Sequence, residues 1–391
     1  MFLPDAVGDV LNRLEGAGYG AWAVGGCVRD QLLNRRVSDW DVCTQALPEQ
    51  VARVFEGTRV LETGLQHGTV TLLTQGLAIE VTTLRADGAY PDHRRPEKVR
   101  FVRELEKDLA RRDFTVNAMA YREGEGLTDL FGGQEDLKRR VIRCVGCARA
   151  RFEEDALRIL RAVRFAAQLD FFLEEATGRA VRDGAGTLAY VSAERIYAEL
   201  LKLLAGPGAA RVLGLYNEVT QEVLPGARAD QAEIASLPPD PALRLALILA
   251  DAQPLFVMAR LKADRRTTEK VAYLCAEMNS AVPEDRAGAL RLLGRAGGYP
   301  LAREVCALWR AKARDVSAVC KTLDQLEREG ACYRVRDLSV GGGDIARMGF
   351  SGEAIGKTLE MLRQKVIEGT LPNERAALLS EAARRRIGSN T

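Results

Sequence analysis

The hydrophobic period of this chain changes once along its length, and that change limits the architectures open to it. Up to residue 138, short apolar runs alternate with amphipathic stretches. From "EDLKRRVIR" (135–143) onward, apolar residues recur at helical spacing, as in "EEDALRILRAVRFAAQL" and "SAERIYAELLKLLAG". Apolar residues at i, i+3 and i+4 line one helix face, whereas brief apolar runs bounded by turn residues suit buried strands. So "DAVGDVLNRLEGAG" predicts a helix stopped by glycine, "GAWAVGG" a buried strand, "CVRDQLLN" a helix opening off two glycines, and "DWDVCT" a second strand. "LPEQVARVFEG" carries proline at a helix start, and "HGTVTLLTQG" with "LAIEVTTLR" predicts a hairpin.

The fold class expected is α+β. A small mixed α/β head occupies 1–138, followed by a helical neck over 139–205, a helical body over 206–310 and a helical tail over 311–391. Breaks such as "GPG" (206–208) and "VGGGD" (340–344) mark soft boundaries. A chain of 391 residues exceeds one ordinary core, so several sub-domains are expected. Lys+Arg 56 against Asp+Glu 54 leaves no global field, so a nucleic-acid surface has to come from local clusters such as "DHRRPEKVR" (92–100) and "KRRVIRCVGCARARF" (138–152). No signal-peptide pattern and no run long enough to span a membrane is visible, and eight scattered cysteines suit reduced thiols, so a cytoplasmic setting is expected. The lone "CVGC" lacks further ligands at zinc spacing; His67 and His93 do not supply them.

Chemistry concentrates near "VGGCVRDQLLNRRVSDWDV" (24–42). Side chains two apart on a strand share a face, so Asp39 and Asp41 point together while Trp40 turns away. Two carboxylates on one face repel unless a cation lies between them, and hard oxygen ligands suit Mg²⁺ held together with substrate phosphates. Glu80, central in "AIEVTTL", is a third acid; beside the pair it would complete a set able to hold two metals about 4 Å apart. A polar turn with an aspartate cap is the plain alternative for "SDWD". Gly25 and Gly26 weigh against it, because backbone without Cβ lets N–H groups approach a phosphate, and Arg29 adds a charge-assisted donor one turn on.

Asp155 and Arg158 are expected on one helix face. An aspartate accepts from the exocyclic amine of C or A, and an arginine donates to a ring nitrogen or carbonyl, so the pair can imitate base pairing. Arg161 and Arg164 continue the stripe toward where phosphates would lie. An acid–base stripe of surface pairs is the competing reading.

These residues resemble, in order, the motifs of class II tRNA nucleotidyltransferases, the CCA-adding enzymes of the polymerase β-like superfamily. "VGGCVRDQLL…SDWDVCT" is similar to the head motif, "TTLRADGAYPDHRRPEKVRFV" to the flexible loop, and "DLARRDFTVNAMAY" to the RRDFTxNA motif. "LTDLFGGQEDLKRRVIR" is similar to the motif that follows, "RFEEDALRILRAVRFAAQL" to the nucleotide-selecting motif, and "SAERIYAELLKLL" to the last neck motif. The stretch from "DIARMGF" to "NERAALL" resembles the family's tail. The resemblance spans nearly the whole chain and is clearest over 20–205.

It implies template-independent addition of C, C and A to the 3′ end of tRNA from CTP and ATP, with Mg²⁺ on Asp39 and Asp41 and with Glu80 assisting. Asp155 and Arg158 would act as protein template, Arg112 would contact the nucleotide, and Asp113 and Asn117 would organise ribose and loop; which of Arg111 and Arg112 points inward stays open. The tail, with the acceptor stem in mind, is expected to bind tRNA. The full-length loop argues against a CC-adding enzyme and leaves an A-adding enzyme as the alternative. A poly(A) polymerase and a non-catalytic RNA-binding module are weaker ones. No His-Asp dipeptide occurs, so an appended phosphohydrolase of that kind is excluded. Cys27 and Cys147 depart from the family pattern, and either would make an enzyme thiol-sensitive.

Overall fold

The computed structural model describes residues 1–65, 68–87 and 99–388. Two compact units partition the chain, one of residues 1–231, 239–241 and 251–264, the other of 232–238, 242–250 and 265 onward.

The first unit begins with α1 (Asp5–Gly16), β1 (Ala21–Val24), α2 (Gly26–Leu32), β2 (Trp40–Thr44), α3 (Pro48–Val54), β3 (Arg59–Gly64), β4 (Thr69–Thr74) and β5 (Leu77–Thr83). There follow β6 (Arg85–Asp87), β7 (Val99–Phe101), α4 (Leu105–Ala110), β8 (Met119–Arg122) and β9 (Gly126–Asp129). Seven strands form one sheet in the order β3-β4-β5-β2-β1-β8-β9, and β6 pairs β7 as a separate ribbon. Every pair in the large sheet is antiparallel except β2 with β5. A parallel pair needs a crossover, and α3, β3 and β4 supply it.

All four residues of β1 are buried, in keeping with its unbroken apolar run; α1 and α2 both pack on it. Proline stands at the first position of α3, where its missing N–H removes no helical bond, and the Gln50 side chain accepts from the Leu47 N–H at 2.8 Å. Strands β3, β8 and β9 extend the sheet beyond the four strands legible from pattern. Strand β9 is half-buried at every position, so its sequence carries no alternation to read.

Helices then dominate, as expected: α5 (Gly133–Arg139), the two-residue β10 (Val141–Ile142), α6 (Ala148–Glu154), α7 (Leu157–Leu169), β11 (Phe172–Leu173), α8 (Glu175–Gly184), α9 (Ala193–Leu204), α10 (Ala209–Leu215) and α11 (Asn217–Val223). Strand β10 pairs β11 in parallel. Helix α7 packs along α9, burying Leu160, Val163, Leu200 and Leu203. Truncating one such leucine to alanine costs roughly 2–5 kcal/mol. Next come α12 (Gln231–Ala235), α13 (Pro241–Ile248) and α14 (Pro254–Arg260).

The second unit continues with α15 (Arg265–Met278), α16 (Arg286–Ala296), α17 (Tyr299–Ala311), α18 (Ser317–Glu329), α19 (Gly342–Arg347), α20 (Glu353–Ile367) and α21 (Arg375–Gly388). Helix α17 is its hub, packing against α15, α16 and α18 around the fully buried Trp309, whose Nε1 donates to the Glu277 carbonyl at 3.1 Å. Among the described residues, no helix is long and apolar enough to cross a membrane.

Candidate active site

A cleft of about 820 Å³ opens in the first unit, where the β1–α2 turn and the start of β2 meet residues 111–117 and the inner faces of α7 and α9. Gly25 makes the turn at φ 82°, a left-handed conformation that an L side chain takes only with strain. A Cβ there would also stand 2.9 Å from Arg112 Nη1. Gly26 is different: an added Cβ would meet only Arg29 Nη2, at an ordinary 3.7 Å. Packing therefore demands the first glycine and leaves backbone space beside the second.

Asp39 and Asp41 both line the cleft, and Trp40 between them is buried on the other side, as strand alternation predicts. Asp39 is exposed just before β2 and accepts from Ser38 Oγ at 2.9 Å. Asp41 pairs in register with Glu80 across the parallel β2–β5 ladder. Burial, then the Glu80 charge, raises the Asp41 carboxyl to about 6; the Arg112 guanidinium opposes this and Asp39 adds to it. Among the described residues, neither Asp39 nor Asp41 has a salt-bridge partner. Such an acidic pair fits a hard divalent cation. Glu80 itself is exposed and outside the cleft lining, and no three His, Cys, Asp or Glu side chains among the described residues form a group able to hold a metal. Of the three acids, Asp39 and Asp41 line the cleft, and Glu80 acts on Asp41 through charge.

Arg111 and Arg112 both reach the cleft, joined by the buried Asp108: Arg111 Nη2 lies 2.6 Å from Oδ1 and Arg112 Nη2 3.1 Å from Oδ2. Burial alone would raise the Asp108 carboxyl, but the two guanidinium groups outweigh it and hold it low. Arg112 is the one pressed on the Gly25 turn, and its buried Nε has no hydrogen-bond partner among the described residues. Arg111 instead turns Nε to the Arg85 carbonyl at 3.1 Å.

Arg29 is more deeply committed than its sequence position suggests. It is buried, grips Asp30 with Nε and Nη2 at 2.9 Å each, and donates from Nη1 to Asn117 Oδ1 at 2.6 Å. Asn117 in turn donates Nδ2 to Asp113 Oδ1 at 3.3 Å. Arg161 donates Nε and Nη2 to Asp113 Oδ2 at 2.8 and 2.6 Å. Burial pushes Asp113 up, yet Arg161 and Asn117 together bring it down to about 2. Arg164 is buried against Glu199 of α9, Nε to Oε2 2.8 Å, and its guanidinium covers the Phe165 ring at 3.4 Å. The charges of Arg161 and Arg164 are therefore largely answered by Asp113 and Glu199, although both still line the cleft.

The expectation for Asp155 needs correction. It does not share a helix with Arg158: at φ −145° it sits in the break between α6 and α7, and its Oδ1 accepts the Leu157 N–H at 3.0 Å in the manner of a cap. Its Oδ2 accepts from Arg195 Nη2 at 2.6 Å. Arg158, in α7, donates Nη2 to the Arg111 carbonyl at 3.1 Å and pairs with Glu154. Both residues face the cleft all the same.

Pattern reading missed Asp30, Phe165, Glu199, Arg195 and Lys202 as site residues. Asp30 was signalled by its place next to Arg29. The α9 residues lie in "SAERIYAELLKLL" but show their role only when α9 meets α7. Residues 88–98, which hold most of the cluster 92–100 and of the expected flexible-loop motif, lie outside the described residues, as do His67 and His93. In the cluster 138–152, Arg143 pairs with Asp136, Arg149 with Glu153 and Arg151 with Glu154. All eight cysteines are free thiols; Cys147 is exposed, but Cys27 is buried and burial pushes it up to about 11, so Cys27 is no source of thiol sensitivity.

The family model described as the poly A polymerase head domain matches residues 21–143, and the one described as the probable RNA and SrmB-binding site of polymerase A matches 170–227. The CCA-adding enzyme of Listeria monocytogenes is 37% identical over 376 residues, covering 93% of each chain. The crystal structure of the Bacillus stearothermophilus CCA-adding enzyme in complex with CTP superposes with a TM-score of 0.84 at 32% identity, over 100% of this chain and 99% of that one. A tRNA nucleotidyltransferase complexed with a primer tRNA and an incoming ATP analog matches at TM-score 0.67 and 25% identity, over 82% of this chain and 99% of that one. The head is that of a nucleotidyltransferase, and the chain belongs to the family of CCA-adding enzymes.

Proposed function

We propose that this chain adds C, C and then A to the 3′ end of tRNA, using CTP and ATP and releasing pyrophosphate. The carrying observation is that one cleft holds the Asp39/Asp41 pair, the Gly25–Gly26 turn and the Asp155/Arg158 pair. Mg²⁺ on Asp39 and Asp41 would neutralise triphosphate charge and acidify the attacking 3′-hydroxyl. The protein's own work is positioning. The open backbone at Gly26 admits a phosphate closely, and Arg112 adds positive charge beside it. The 3′-hydroxyl oxygen bonds to the α-phosphorus in line as the bond to pyrophosphate breaks, with no covalent protein intermediate.

Asp155 offers its carboxylate to the exocyclic amine of C or A, and Arg158 donates to the adjoining ring acceptor, which selects against G and U. Asp113 and Asn117 act one step back, holding Arg29 and Arg161 in place. The head (1–138), neck (139–205), body (206–310) and tail (311–391) divide the labour, with body and tail holding tRNA and the reaction in the cytoplasm. Contacts to tRNA phosphates make binding weaken steeply with salt.

The test uses tRNA ending just before CCA and tRNA ending in CC, each incubated with labelled CTP or ATP, the products being sized. Three-nucleotide extension of the first is expected. Extension only of the second, by ATP alone, would replace this reading with an A-adding enzyme.

A further inference from the structure

Of the eight free thiols five are buried, Cys320 and Cys332 are half-buried and Cys147 is exposed, and Cys306 and Cys320 face each other in the second unit. Helices α17 and α18 pack as neighbours. Arg303 of α17 bonds Asp324 at 2.8 Å and Glu327 at 2.6 Å, while Arg310, seven residues on, donates Nη2 to Cys320 Sγ at 3.7 Å. Residues 303, 306 and 310 share one face of α17, and 320, 324 and 327 share one face of α18. The chain direction reverses between them, so Cys306, one turn past Arg303, comes opposite Cys320, where their side chains interact. Cys306 is buried and Cys320 half-buried.

We propose that Cys306 and Cys320 form a redox modification site, closing an intramolecular disulfide across the α17–α18 seam when the chain meets a low-molecular-weight disulfide such as oxidised glutathione. Cys320 is the entry point, because solvent reaches it and Arg310 donates to its sulfur, which orients the side chain. The Cys320 sulfur, its proton lost to water, attacks one sulfur of the small disulfide; that S–S bond breaks and one small thiol leaves carrying a proton. Cys306 then loses its proton and attacks Cys320 Sγ, expelling the second small thiol. Two protein thiols are oxidised and one small disulfide is reduced to two thiols, so no further oxidant is needed.

Burial, then the neighbouring Cys320, pushes the Cys306 thiol up to about 12. Closure is accordingly the slow step and accelerates with pH, and capping Cys320 in the first step removes part of that opposition. A link here pins the hub helix α17 to its neighbour, and a short closed loop chiefly restricts the unfolded chain.

The experiment incubates the full chain carrying Cys147→Ser, which removes the exposed competitor, with excess oxidised glutathione at pH 7.5 and pH 9, then maps peptides by mass spectrometry without reduction. A peptide pair joined through Cys306 and Cys320, 2 Da lighter than its reduced parts, formed several-fold faster at the higher pH, with a melting temperature raised by several degrees and reversed by dithiothreitol, is expected. In Cys306→Ser the glutathione adduct should persist on Cys320, and in Cys320→Ser both adduct and link should vanish. A folded parent chain that leaves Cys320 unmodified, or keeps glutathione on Cys320 without closing, overturns the proposal.

Discussion

Asp113 and Arg161, forty-eight residues apart, meet through two hydrogen bonds onto a single carboxylate oxygen, from Nε at 2.8 Å and Nη2 at 2.6 Å. The contact ties the segment after α4 to α7 and continues through Asn117 to Arg29 and through Arg161 toward Glu199. Part of the cleft lining is thereby a string of answered charges, while Asp39 and Asp41 have no salt-bridge partner among the described residues. That asymmetry suits a site that binds an anion together with its cation.

The Asp113 link should appear in the pH dependence of stability. Its folded carboxyl lies near 2, below the usual 3.8, so the stabilisation is full above about pH 4 and fades as pH falls toward 2. Asp113→Asn should cost roughly 2 kcal/mol in denaturant melts at pH 7 and much less at pH 2.5. An equal cost at both pH values would show that the carboxylate charge is not what matters.

At Asp41 the sign reverses, because a buried acid facing Glu80 and Asp39 is destabilised in its charged form. Asp41→Asn should leave the melting temperature unchanged or slightly higher at neutral pH, while nucleotide incorporation falls by about 10³-fold or more. Removal of divalent cations with a chelator should abolish incorporation in the parent chain and leave the circular dichroism spectrum unaltered.

The two glycines should respond unequally. Gly25→Ala meets both a left-handed φ and the Arg112 guanidinium and should lower stability by about 1–2 kcal/mol along with activity. Gly26→Ala faces neither obstacle, so a loss confined to nucleotide affinity is expected, read as a higher KM for CTP and ATP at near-normal melting temperature.

Arg195 holds Asp155 at 2.6 Å without being part of the reading edge expected from pattern. Arg195→Ala should free that carboxylate and lower discrimination between CTP and UTP by about tenfold, more than it lowers the incorporation rate. A uniform fall for all four nucleotides would assign Arg195 to general packing instead.

The local chemistry of the site was written in the chain. Gly-Gly before a helix, Asp-x-Asp on a strand and the basic-acidic run after residue 150 each follow from backbone conformation or strand alternation over a few residues. Alternation alone put Asp39 and Asp41 on one face and Trp40 on the other, and helical spacing alone marked α7 and α9. What spacing could not determine was which charges remain available. Arg29, Arg161 and Arg164 read as phosphate ligands in isolation, but carboxylates 48 and 35 residues away answer Arg161 and Arg164, and Arg29, paired with the adjacent Asp30, is tied down by Asn117 from 88 residues away. Likewise Asp155 read as helical until the break between α6 and α7 made it a cap and Arg195 took its outer oxygen. Conformation is set by neighbours in the chain, whereas the charge state and reach of an ionisable side chain are set by neighbours in space, and only the tertiary structure supplies those.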